Sequence, residues 1–414
     1  MEDAQRVVVT GMGAVTPLGL DVETLWQNML AGTSAIAALK AFDTTDYKVK
    51  NGAEVDSDLL REMCKKRKWR PLDRSVDMAI LASDQALSSA GVIDDGVATE
   101  RTNAGVIFGT GLGSEHSLYD AFMGFFGKGI RGVRPTSVPR SMANSVSAQI
   151  SMRYQLEGPN YVIICACTSA TTAIGTAYRM IKDGYIDMVL CGGTDATFDP
   201  FAYAAWNNLG VMSTNNDPAA AARPFDVNRD GCILGEGAAA LVLESHTSAL
   251  KRGRDIQAEI IGFGESSDAQ HITRPNPDGQ VKAIANALAS AGKVPEDIGF
   301  VNAHGTATRA NDSCESASIR TALGSAADHI PVASNKSFFG HLLGASGAVE
   351  SVATILGLQH GKVPPNLNLE TPDPECDLCF VGPEAMELPA TIAMKNSFGF
   401  GGNNGVLILQ QYQA

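Results

Sequence analysis

The sequence lacks an uninterrupted apolar run of about 18 residues, the length that a transmembrane helix needs, so we expect no membrane span. Aromatic residues make up only 6% and charged residues 19%, whereas 44% are hydrophobic, which is an ordinary globular balance. Positive charge is also scarce, because the sequence has 32 Lys and Arg residues against 45 Asp and Glu residues, which gives a net charge of −13. This balance disfavours nucleic acid as a partner, since phosphate contacts need clustered cations.

A secretory signal and a disulfide framework are missing as well. The opening, MEDAQRVVVTGMG, enters a strand-like run almost at once and leaves no room for a signal peptide. The eight cysteines show no regular spacing and lie mostly in apolar segments, which is typical of a reducing compartment. Cys376 and Cys379 have zinc-knuckle spacing but no second pair or histidine nearby, so we predict no metal. We expect a cytoplasmic protein, although an organelle protein without its transit peptide would look the same.

Two glycine-rich segments imitate nucleotide-binding fingerprints without completing them. In GMGAVTPLG (11–19), Thr16 takes the third glycine position and Pro17 would interrupt the helix start. NSFGFGGNNG (396–405) is not followed by Lys-Ser or Lys-Thr and is therefore not a P-loop. A nicotinamide-dependent oxidoreductase stays an alternative, which a shift in melting temperature on adding dinucleotide would support.

Strand-like runs alternate with helical stretches along the whole chain, which predicts an α/β fold with sheets buried on both faces. The predicted strands are RVVVTG (6–11), AGVIFGTG (104–111), YVIICA (161–166), MVLCGG (188–193), AALVLES (239–245), AEIIGFG (258–264), GFVNAHG (299–305), PVASNKS (331–337), IAMKNSF (392–398) and GVLILQQ (405–411). The predicted helices are 75–90, 169–183, 280–291, 314–323 and 344–359. The polar connection KRGRD (251–255) suggests two units, residues 1–250 and 251–414.

The first candidate site residue is Cys167, where a buried strand gives way to a helix rich in small residues. Free N–H groups at a helix N-terminus favour a thiolate, and they can also donate to an oxyanion when the sulfur attacks a thioester. Cys165, two positions earlier, is more readily explained as a buried small residue. On its own, Cys167 would receive the same explanation.

Two histidines change that interpretation. His304 in VNAHGTAT and His341 in NKSFFGHLLGASGAVES lie at predicted strand ends, where ligands bind in open α/β sheets. One Cys and one His would suit a hydrolase, but two imidazole N–H donors also suit an enolate formed by decarboxylating a malonyl thioester. Lys336 would hold the imidazoles in place and pair with Glu350 or Asp312.

The segments around these residues offer substrate contacts. Thr306 and Thr308 alternate on an extended segment, so both hydroxyls would face one side and could bind the amides of a pantetheine arm. In NSFGFGGNNG, Gly399 and Gly401 let the backbone approach a substrate, and Phe400 would stand as a removable apolar plug.

Five cations are concentrated in CKKRKWR, against the negative charge of the whole chain. They are Lys65, Lys66, Arg67, Lys68 and Arg70. A solvated helix face is the simplest explanation, and an acidic partner protein is the functional alternative.

Taken together, these motifs resemble the type II β-ketoacyl-acyl-carrier-protein synthases, including the ketosynthase subunits of type II polyketide synthases. ACTSATTAIG resembles the nucleophile motif, and the resemblance implies Cys167 as acyl acceptor, His304 and His341 as the decarboxylation pair, Lys336 as their organiser and Phe400 as gate. It also implies a thiolase-like fold of two similar halves, with buried mixed sheets in a layered αβαβα arrangement. It implies an acyltransferase without metal or diffusible cofactor, to which phosphopantetheine comes on the carrier-protein substrate.

The resemblance covers essentially the whole chain and implies two partners. One is the acidic acyl carrier protein, for which CKKRKWR is the natural docking site. The other is a second subunit, either a copy of the chain or a chain-length-factor homologue. Phe108 replaces a smaller aliphatic residue near the family's acyl pocket, which predicts a shorter or redirected pocket.

Two alternative functions that would share the same fold are also considered. A thiolase would need another cysteine near the C-terminal loop, and NSFGFGGNNG has none. A non-catalytic chain-length subunit would not need Cys167, both histidines and Lys336.

Overall fold

The structure is a computed structural model that describes residues 6–98 and 101–413. Its helices are α1 (Val22–Leu30), α2 (Ser57–Lys66), α3 (Arg74–Ser89), α4 (Glu115–Lys128), α5 (Ser137–Ser141), α6 (Ser145–Tyr154), α7 (Ser169–Lys182), α8 (Pro200–Leu209), α9 (His246–Lys251), α10 (Pro277–Ala291), α11 (Arg309–Leu323), α12 (Lys336–Phe339) and α13 (Ser346–His360). Its strands are β1 (Val7–Val15), β2 (Ala37–Ala38), β3 (Asn51–Gly52), β4 (Ile93–Asp94), β5 (Val97–Ala98), β6 (Gly105–Gly109), β7 (Asn160–Ile163), β8 (Met188–Asp195), β9 (Gly237–Ser245), β10 (Ala258–Ser267), β11 (Phe300–Asn302), β12 (Val332–Ala333), β13 (Lys362–Val363), β14 (Met386–Glu387), β15 (Ile392–Gly399) and β16 (Asn403–Gln410).

One mixed sheet organises the described residues. Its 10 strands follow the order β12-β11-β15-β16-β10-β1-β9-β8-β6-β7. β6 runs parallel to β7 and β8, and β11 runs parallel to β12 and β15, while the remaining pairs are antiparallel. Strands from the first part of the chain occupy one end of the sheet and strands from the second part occupy the other. The two ends meet at the antiparallel pair β1–β10, where Val7 lies opposite Ile260.

Two helices lie at the centre of the fold. α13 is buried from Ser346 to Leu358, and α7 is buried along most of its length. Both contribute to one apolar cluster with strands from both ends of the sheet. A second cluster lies beneath α3 and α6, and a third lies beneath α10 and α11. Helices therefore pack against both faces of the mixed sheet, which confirms the predicted α/β fold.

The two central helices begin in the same way. A 3₁₀ turn, Ala166–Thr168, precedes α7, and another, Leu343–Ala345, precedes α13. The first residue of each turn has a left-handed backbone, with φ of 51° at Ala166 and 49° at Leu343. Non-glycine residues rarely adopt this conformation. The repetition agrees with two similar halves, while the boundary at residue 250 stays a prediction.

Two predicted strands differ from the structure in length or burial. YVIICA was expected to be buried, but β7 is an edge strand, and Tyr161 and Ile164 are exposed on the isolated chain. PVASNKS retains only the two-residue strand β12, because the Ser334 hydroxyl accepts the N–H of Lys336 and turns the chain into α12. His341 consequently follows a short helix instead of a strand.

Candidate active site

Cys167 lies within the turn that leads into α7, and its side chain is buried. Side chains on the turn fix its shape. Ser169 accepts the N–H of Cys165 and donates to the carbonyl of Ala166, while the Thr168 hydroxyl donates to the carbonyl of Cys165. These bonds hold Ala166 in its left-handed conformation and point the following sulfur into a cavity.

The electrostatics of the thiol differ from the expectation. Burial raises the pKa of the Cys167 thiol to about 11, and Asp195 adds to the rise. Lys336 and the backbone N–H groups of Phe400 and Cys167 lower that pKa, but they do not outweigh burial. The helix N-terminus therefore does not make Cys167 a thiolate at neutral pH. The N–H groups of Phe400 and Cys167 are nevertheless directed at the sulfur, beside which the oxyanion of an attacked thioester would form.

His341 contacts the sulfur directly. Its Nε2 lies 3.1 Å from Sγ of Cys167. Its Nδ1 accepts the N–H of Leu343 at 3.1 Å and lies 2.9 Å from Oγ of Ser346. Because Nδ1 is an acceptor, the proton of the neutral ring belongs on Nε2 and faces the cavity.

His304 has the same arrangement as His341: its Nδ1 accepts a hydrogen bond, and its Nε2 carries the ring proton. Its ring centre lies 5.3 Å from that of His341, and the planes are nearly perpendicular, at 84°. Nδ1 of His304 lies 3.3 Å from Nζ of Lys336, and an ammonium can only donate, so Nε2 again carries the proton. Burial, followed by the charge of Lys336, holds the pKa of both imidazoles well below the usual value. The site therefore presents two neutral N–H donors.

The three residues are close enough to suggest a metal site. The ligand atoms of Cys167, His304 and His341 lie within 4.8 Å of one another. A metal on Nε2 of either histidine would move the ring proton to Nδ1, where Lys336 and the N–H of Leu343 already donate. The neighbours of the imidazoles are thus arranged against a metal and in favour of hydrogen-bond donation.

A buried ionic cluster lies behind the imidazoles. Glu350 on α13 is fully buried and pairs with Lys336 through Oε1. Its Oε2 lies 3.0 Å from Nζ of Lys395 on β15. Of the partners that the sequence suggested for Lys336, Glu350 is therefore the one found. Asp312 instead accepts the N–H of Phe225 and lies near Arg229.

Two further buried carboxylates brace the backbone of the site. Glu315 accepts the N–H of His304 and of Gly305, each at 2.7 Å. Asp195 accepts the N–H of Gly111 and of Gly344, so it joins the loop after β6 to the turn that precedes α13. Sequence reasoning missed both residues, along with Lys395. The only signal for Lys395 was a charge inside the apolar run IAMKNSF.

A cavity opens above Cys167 and both histidines. Thr306 and Thr308 line it with their hydroxyls 2.9 Å apart, so the two side chains do face the same side. Phe400 also lines the cavity, and its ring stacks on Trp206 with centres 6.0 Å apart. Trp206 had not been predicted as part of the site.

The loop carrying Phe400 depends on its glycines at two positions. A Cβ on Gly399 would lie 3.1 Å from the backbone nitrogen of Cys167, so the loop could not approach the nucleophile as closely. Gly401 has φ of 80°, which side chains disfavour. Its N–H donates to the carbonyl of Ile272 at 2.7 Å, which ties the loop to the opposite wall of the cavity.

Phe108 does not lie among the residues that line this cavity. It is fully buried on β6, within the apolar cluster beneath α3 and α6. Its predicted effect on an acyl pocket stays a prediction.

The five cations of CKKRKWR do not form a uniform surface. Lys65, Lys66, Lys68 and Arg70 are exposed at or beyond the end of α2. Arg67 instead pairs with the buried Asp84 at 2.6 Å. Four of the five cations are thus exposed to solvent, although Lys66 also forms a surface ion pair with Glu62 at 2.9 Å, and Arg67 has a structural role.

Sequence and structure comparisons agree on the family. Residues 4–249 match the family model "Beta-ketoacyl synthase, N-terminal domain", and residues 257–370 match "Beta-ketoacyl synthase, C-terminal domain". A similar relative is the 3-oxoacyl-[acyl-carrier-protein] synthase 2 of Synechocystis sp. (strain ATCC 27184 / PCC 6803 / Kazusa), which is 40% identical over 414 residues and covers 99% of both chains.

Two solved structures are similar along nearly their whole length. The ishigamide ketosynthase/chain length factor has a TM-score of 0.90 at 34% identity and covers 99% of both chains. AntDE:AntF is described as a type II PKS acyl-carrier protein in complex with its ketosynthase bound to the hexaketide. It has a TM-score of 0.90 at 28% identity, with 98% of this chain and 99% of that chain covered.

Proposed function

The chain belongs to the β-ketoacyl synthase family, and from this premise we propose the reaction that its site performs. The protein is an acyltransferase that condenses an enzyme-bound acyl thioester with malonyl-acyl-carrier protein. The product is β-ketoacyl-acyl-carrier protein, in fatty acid or type II polyketide chain elongation. The observation that carries this conclusion is the placement of two neutral imidazole donors beside a cysteine in one cavity.

In the first stage, Cys167 takes an acyl group from a carrier-protein thioester. The sulfur attacks the thioester carbonyl after its proton leaves, and the carrier thiolate accepts a proton as it departs. Nε2–H of His341 and the N–H groups of Phe400 and Cys167 stabilise negative charge on the sulfur and then on the tetrahedral oxyanion. Lys336 contributes long-range positive charge. The high pKa of the thiol makes these donors necessary at neutral pH.

In the second stage, malonyl-carrier protein enters the same cavity. Loss of carbon dioxide leaves an enolate whose negative charge lies on the thioester oxygen. Nε2–H of His304 and of His341 are the two donors available for that oxygen. The enolate carbon then attacks the acyl group on Cys167, a carbon–carbon bond forms as the carbon–sulfur bond breaks, and the released thiolate takes up a proton from solvent to restore the neutral thiol. Thr306 and Thr308 line the path of the pantetheine arm in this proposal.

Acyl carrier protein is the substrate partner of this chemistry. We assign its docking to the exposed cations Lys65, Lys66, Lys68 and Arg70, since a carrier protein of opposite charge would be attracted to them. Arg67 belongs to the same segment but contributes mainly through its bond to Asp84. Phosphopantetheine comes with the carrier protein, and the reaction is proposed to need neither a metal nor a diffusible cofactor.

A second subunit is proposed to cover one face of the chain. β7 is an edge strand whose outer backbone groups are available for pairing. On and after α4, Phe126 is 77% exposed and Ile130 is 83% exposed, apolar side chains of a kind that single chains rarely leave open together. The partner is a copy of this chain or a chain-length-factor homologue, as in the ishigamide ketosynthase/chain length factor. Sedimentation of the protein alone distinguishes the two.

A cytoplasmic location is proposed on two observations. All eight cysteines are free, as expected in a reducing compartment. Within the described ranges, the helices are too short or too polar to cross a bilayer.

Acylation tests the first stage. The intact mass of the protein is measured after incubation with acyl-carrier protein, for the wild type, Cys167→Ala and the matched control Cys165→Ala. One acyl group is expected on the wild type and on the control, and none on Cys167→Ala. Acylation that persists in Cys167→Ala, or that disappears in both variants, contradicts the proposal.

A further inference from the structure

Lys395 is a buried lysine that the reaction described above does not use. Its side chain is fully buried, on a strand that leads towards Phe400. Its ammonium lies 3.0 Å from Oε2 of Glu350, donates to Oγ1 of Thr171 at 3.0 Å and donates to Oγ of Ser397. Thr171 lies in the first turn of α7, the helix that follows Cys167. One side chain on β15 therefore contacts both central helices, α7 and α13.

The fold does not require a charge at this position. Glu350 already has a partner in Lys336, so removing the second ammonium would leave no buried carboxylate unpaired. Burying an ammonium is unfavourable, and an apolar side chain of similar length is often as stable or more stable in such a position. Burial lowers the pKa of the Lys395 ammonium to about 8, so the charge is held there against its own desolvation, which indicates a use in the site.

The charges around the histidines show what that use is. Nζ of Lys336 on α12 lies 3.3 Å from Nδ1 of His304, and Glu350 on α13 lies between the ammoniums of Lys336 and of Lys395 on β15. Glu315 on α11 faces the backbone of His304, and Cys167 presents a neutral thiol. Of these groups, Lys336 and Lys395 both lower the pKa of His304 and of His341, after the effect of burial.

We propose that Lys395 is a positioning residue whose fixed ammonium keeps His304 and His341 as neutral donors, so that the enolate forms a carbon–carbon bond instead of being protonated. The proposal rests on the proposed condensation. An imidazolium at either position would offer its proton to the enolate carbon. The enolate plus that proton gives acetyl-carrier protein, with carbon dioxide already lost and the acyl group still on Cys167. Two neutral imidazoles stabilise the same enolate without supplying an easily transferred proton.

The partition of products tests this role. Acylated enzyme is mixed with malonyl-carrier protein, and β-ketoacyl-carrier and acetyl-carrier protein are quantified by intact mass between pH 5.5 and 8. In Lys395→Met the neutral isostere removes the charge, and each unit of rise in a histidine pKa increases the protonated fraction about tenfold. The acetyl share is expected to rise on the order of three- to tenfold at pH 6 and to approach the wild-type value at pH 8. The wild-type share stays flat.

Two controls separate charge from packing. Ser397→Ala removes a hydrogen bond from the same ammonium but leaves its charge, so the melting temperature is expected to fall while the product partition stays as in the wild type. Lys362→Met removes an exposed lysine on β13 and should change neither. If Lys395→Met does not fold, Lys395→Gln removes the charge while keeping a donor towards Thr171.

The outcomes are distinct. A wild-type partition at every pH in a folded neutral variant overturns the role of Lys395 and leaves the proposed condensation intact. An increase in Ser397→Ala equal to that in Lys395→Met also overturns it, because packing would then explain both. If the wild type itself forms no β-ketoacyl product, the proposed condensation fails, and the role of Lys395 fails with it.

Discussion

Nε2 of His341 lies 3.1 Å from Sγ of Cys167, while Nδ1 of the same ring accepts the N–H of Leu343. The ring therefore directs a proton at the sulfur and cannot readily accept one at Nε2 without giving up its bond to Leu343. In a cysteine hydrolase the histidine must accept the thiol proton as a general base. This geometry is that of a donor, and it separates the site from the Cys-His hydrolases that the sequence alone left open.

The first prediction concerns the pH dependence of Cys167 alkylation. Burial raises the pKa of this thiol to about 11, so the neutral form prevails at pH 7 and the thiolate fraction grows about tenfold per pH unit up to that value. Iodoacetamide labelling of Cys167, followed by peptide mass, should accelerate accordingly between pH 7 and 10. His341→Ala should label more slowly, since the sulfur loses a donor. A rate that is already constant below pH 8 would show a low-pKa thiolate instead.

The second prediction concerns the different roles of His304 and His341 in acylation of Cys167 and in decarboxylation. Removing one donor to a developing oxyanion lowers a rate by roughly 10²- to 10³-fold. His304→Ala should lose that much in carbon dioxide release from malonyl-carrier protein, while Cys167 still becomes acylated, because His304 does not contact the sulfur. His341→Ala should impair both steps. Equal loss of acylation in His304→Ala would mean that the two histidines share one role.

The third prediction concerns the buried ionic cluster. Glu350→Gln leaves Lys336 and Lys395 without their common carboxylate, and removing one partner of a buried pair destabilises by about 3–5 kcal/mol. The free energy of unfolding in urea should fall by that amount. Glu387→Gln is the matched control, because its contact with Lys362 is 3.8 Å long and exposed. A loss of less than about 1 kcal/mol in Glu350→Gln, the range of exposed pairs, would show that the cluster is hydrated.

The fourth prediction assigns different roles to the cations of the basic segment CKKRKWR: docking for the exposed lysines and stability for Arg67. Lys65→Glu with Lys66→Glu should raise KM for carrier-protein substrates and weaken its dependence on salt, because attraction is lost at an exposed surface. With an acyl-pantetheine thioester as donor, KM should not change. Arg67→Ala should lower the melting temperature, since it leaves the buried Asp84 without its partner. A melting temperature unchanged in Arg67→Ala would contradict the structural role.

The order of strands and helices could be predicted because their apolar runs are long and uninterrupted. β1, β8 and β15 are buried along nearly their whole length, so a continuous apolar run was a reliable signal. β7 has the same composition but lies at the edge of the sheet, and composition alone does not distinguish an edge strand from a central one. β12 is shorter than predicted because a hydrogen bond from the N–H of Lys336 to the Ser334 hydroxyl competes with strand pairing.

Site residues that stand in recognisable motifs could be predicted from the sequence. Site residues that are brought in by tertiary contacts could not. Cys167, His304 and His341 stood in such motifs and do meet in one cavity. Lys395 on β15 and Glu315 on α11 reach the site from separate elements, and no local sequence pattern marks such a contact. The pKa of Cys167 also depends on the fold, because the helix N-terminus was visible in the sequence but the depth of burial was not.

The mass of the carrier protein after a complete reaction tests the central claim most directly. Acyl-carrier protein and malonyl-carrier protein are incubated with this protein alone, and the products are compared with those of Cys167→Ala. The account predicts a β-ketoacyl-carrier product that carries the acyl chain extended by two carbons, accompanied by carbon dioxide, and no such product with Cys167→Ala. If Cys167 becomes acylated but no donor yields a β-ketoacyl product, this protein alone is not a condensing enzyme. A β-ketoacyl product that persists in Cys167→Ala would contradict the mechanism itself.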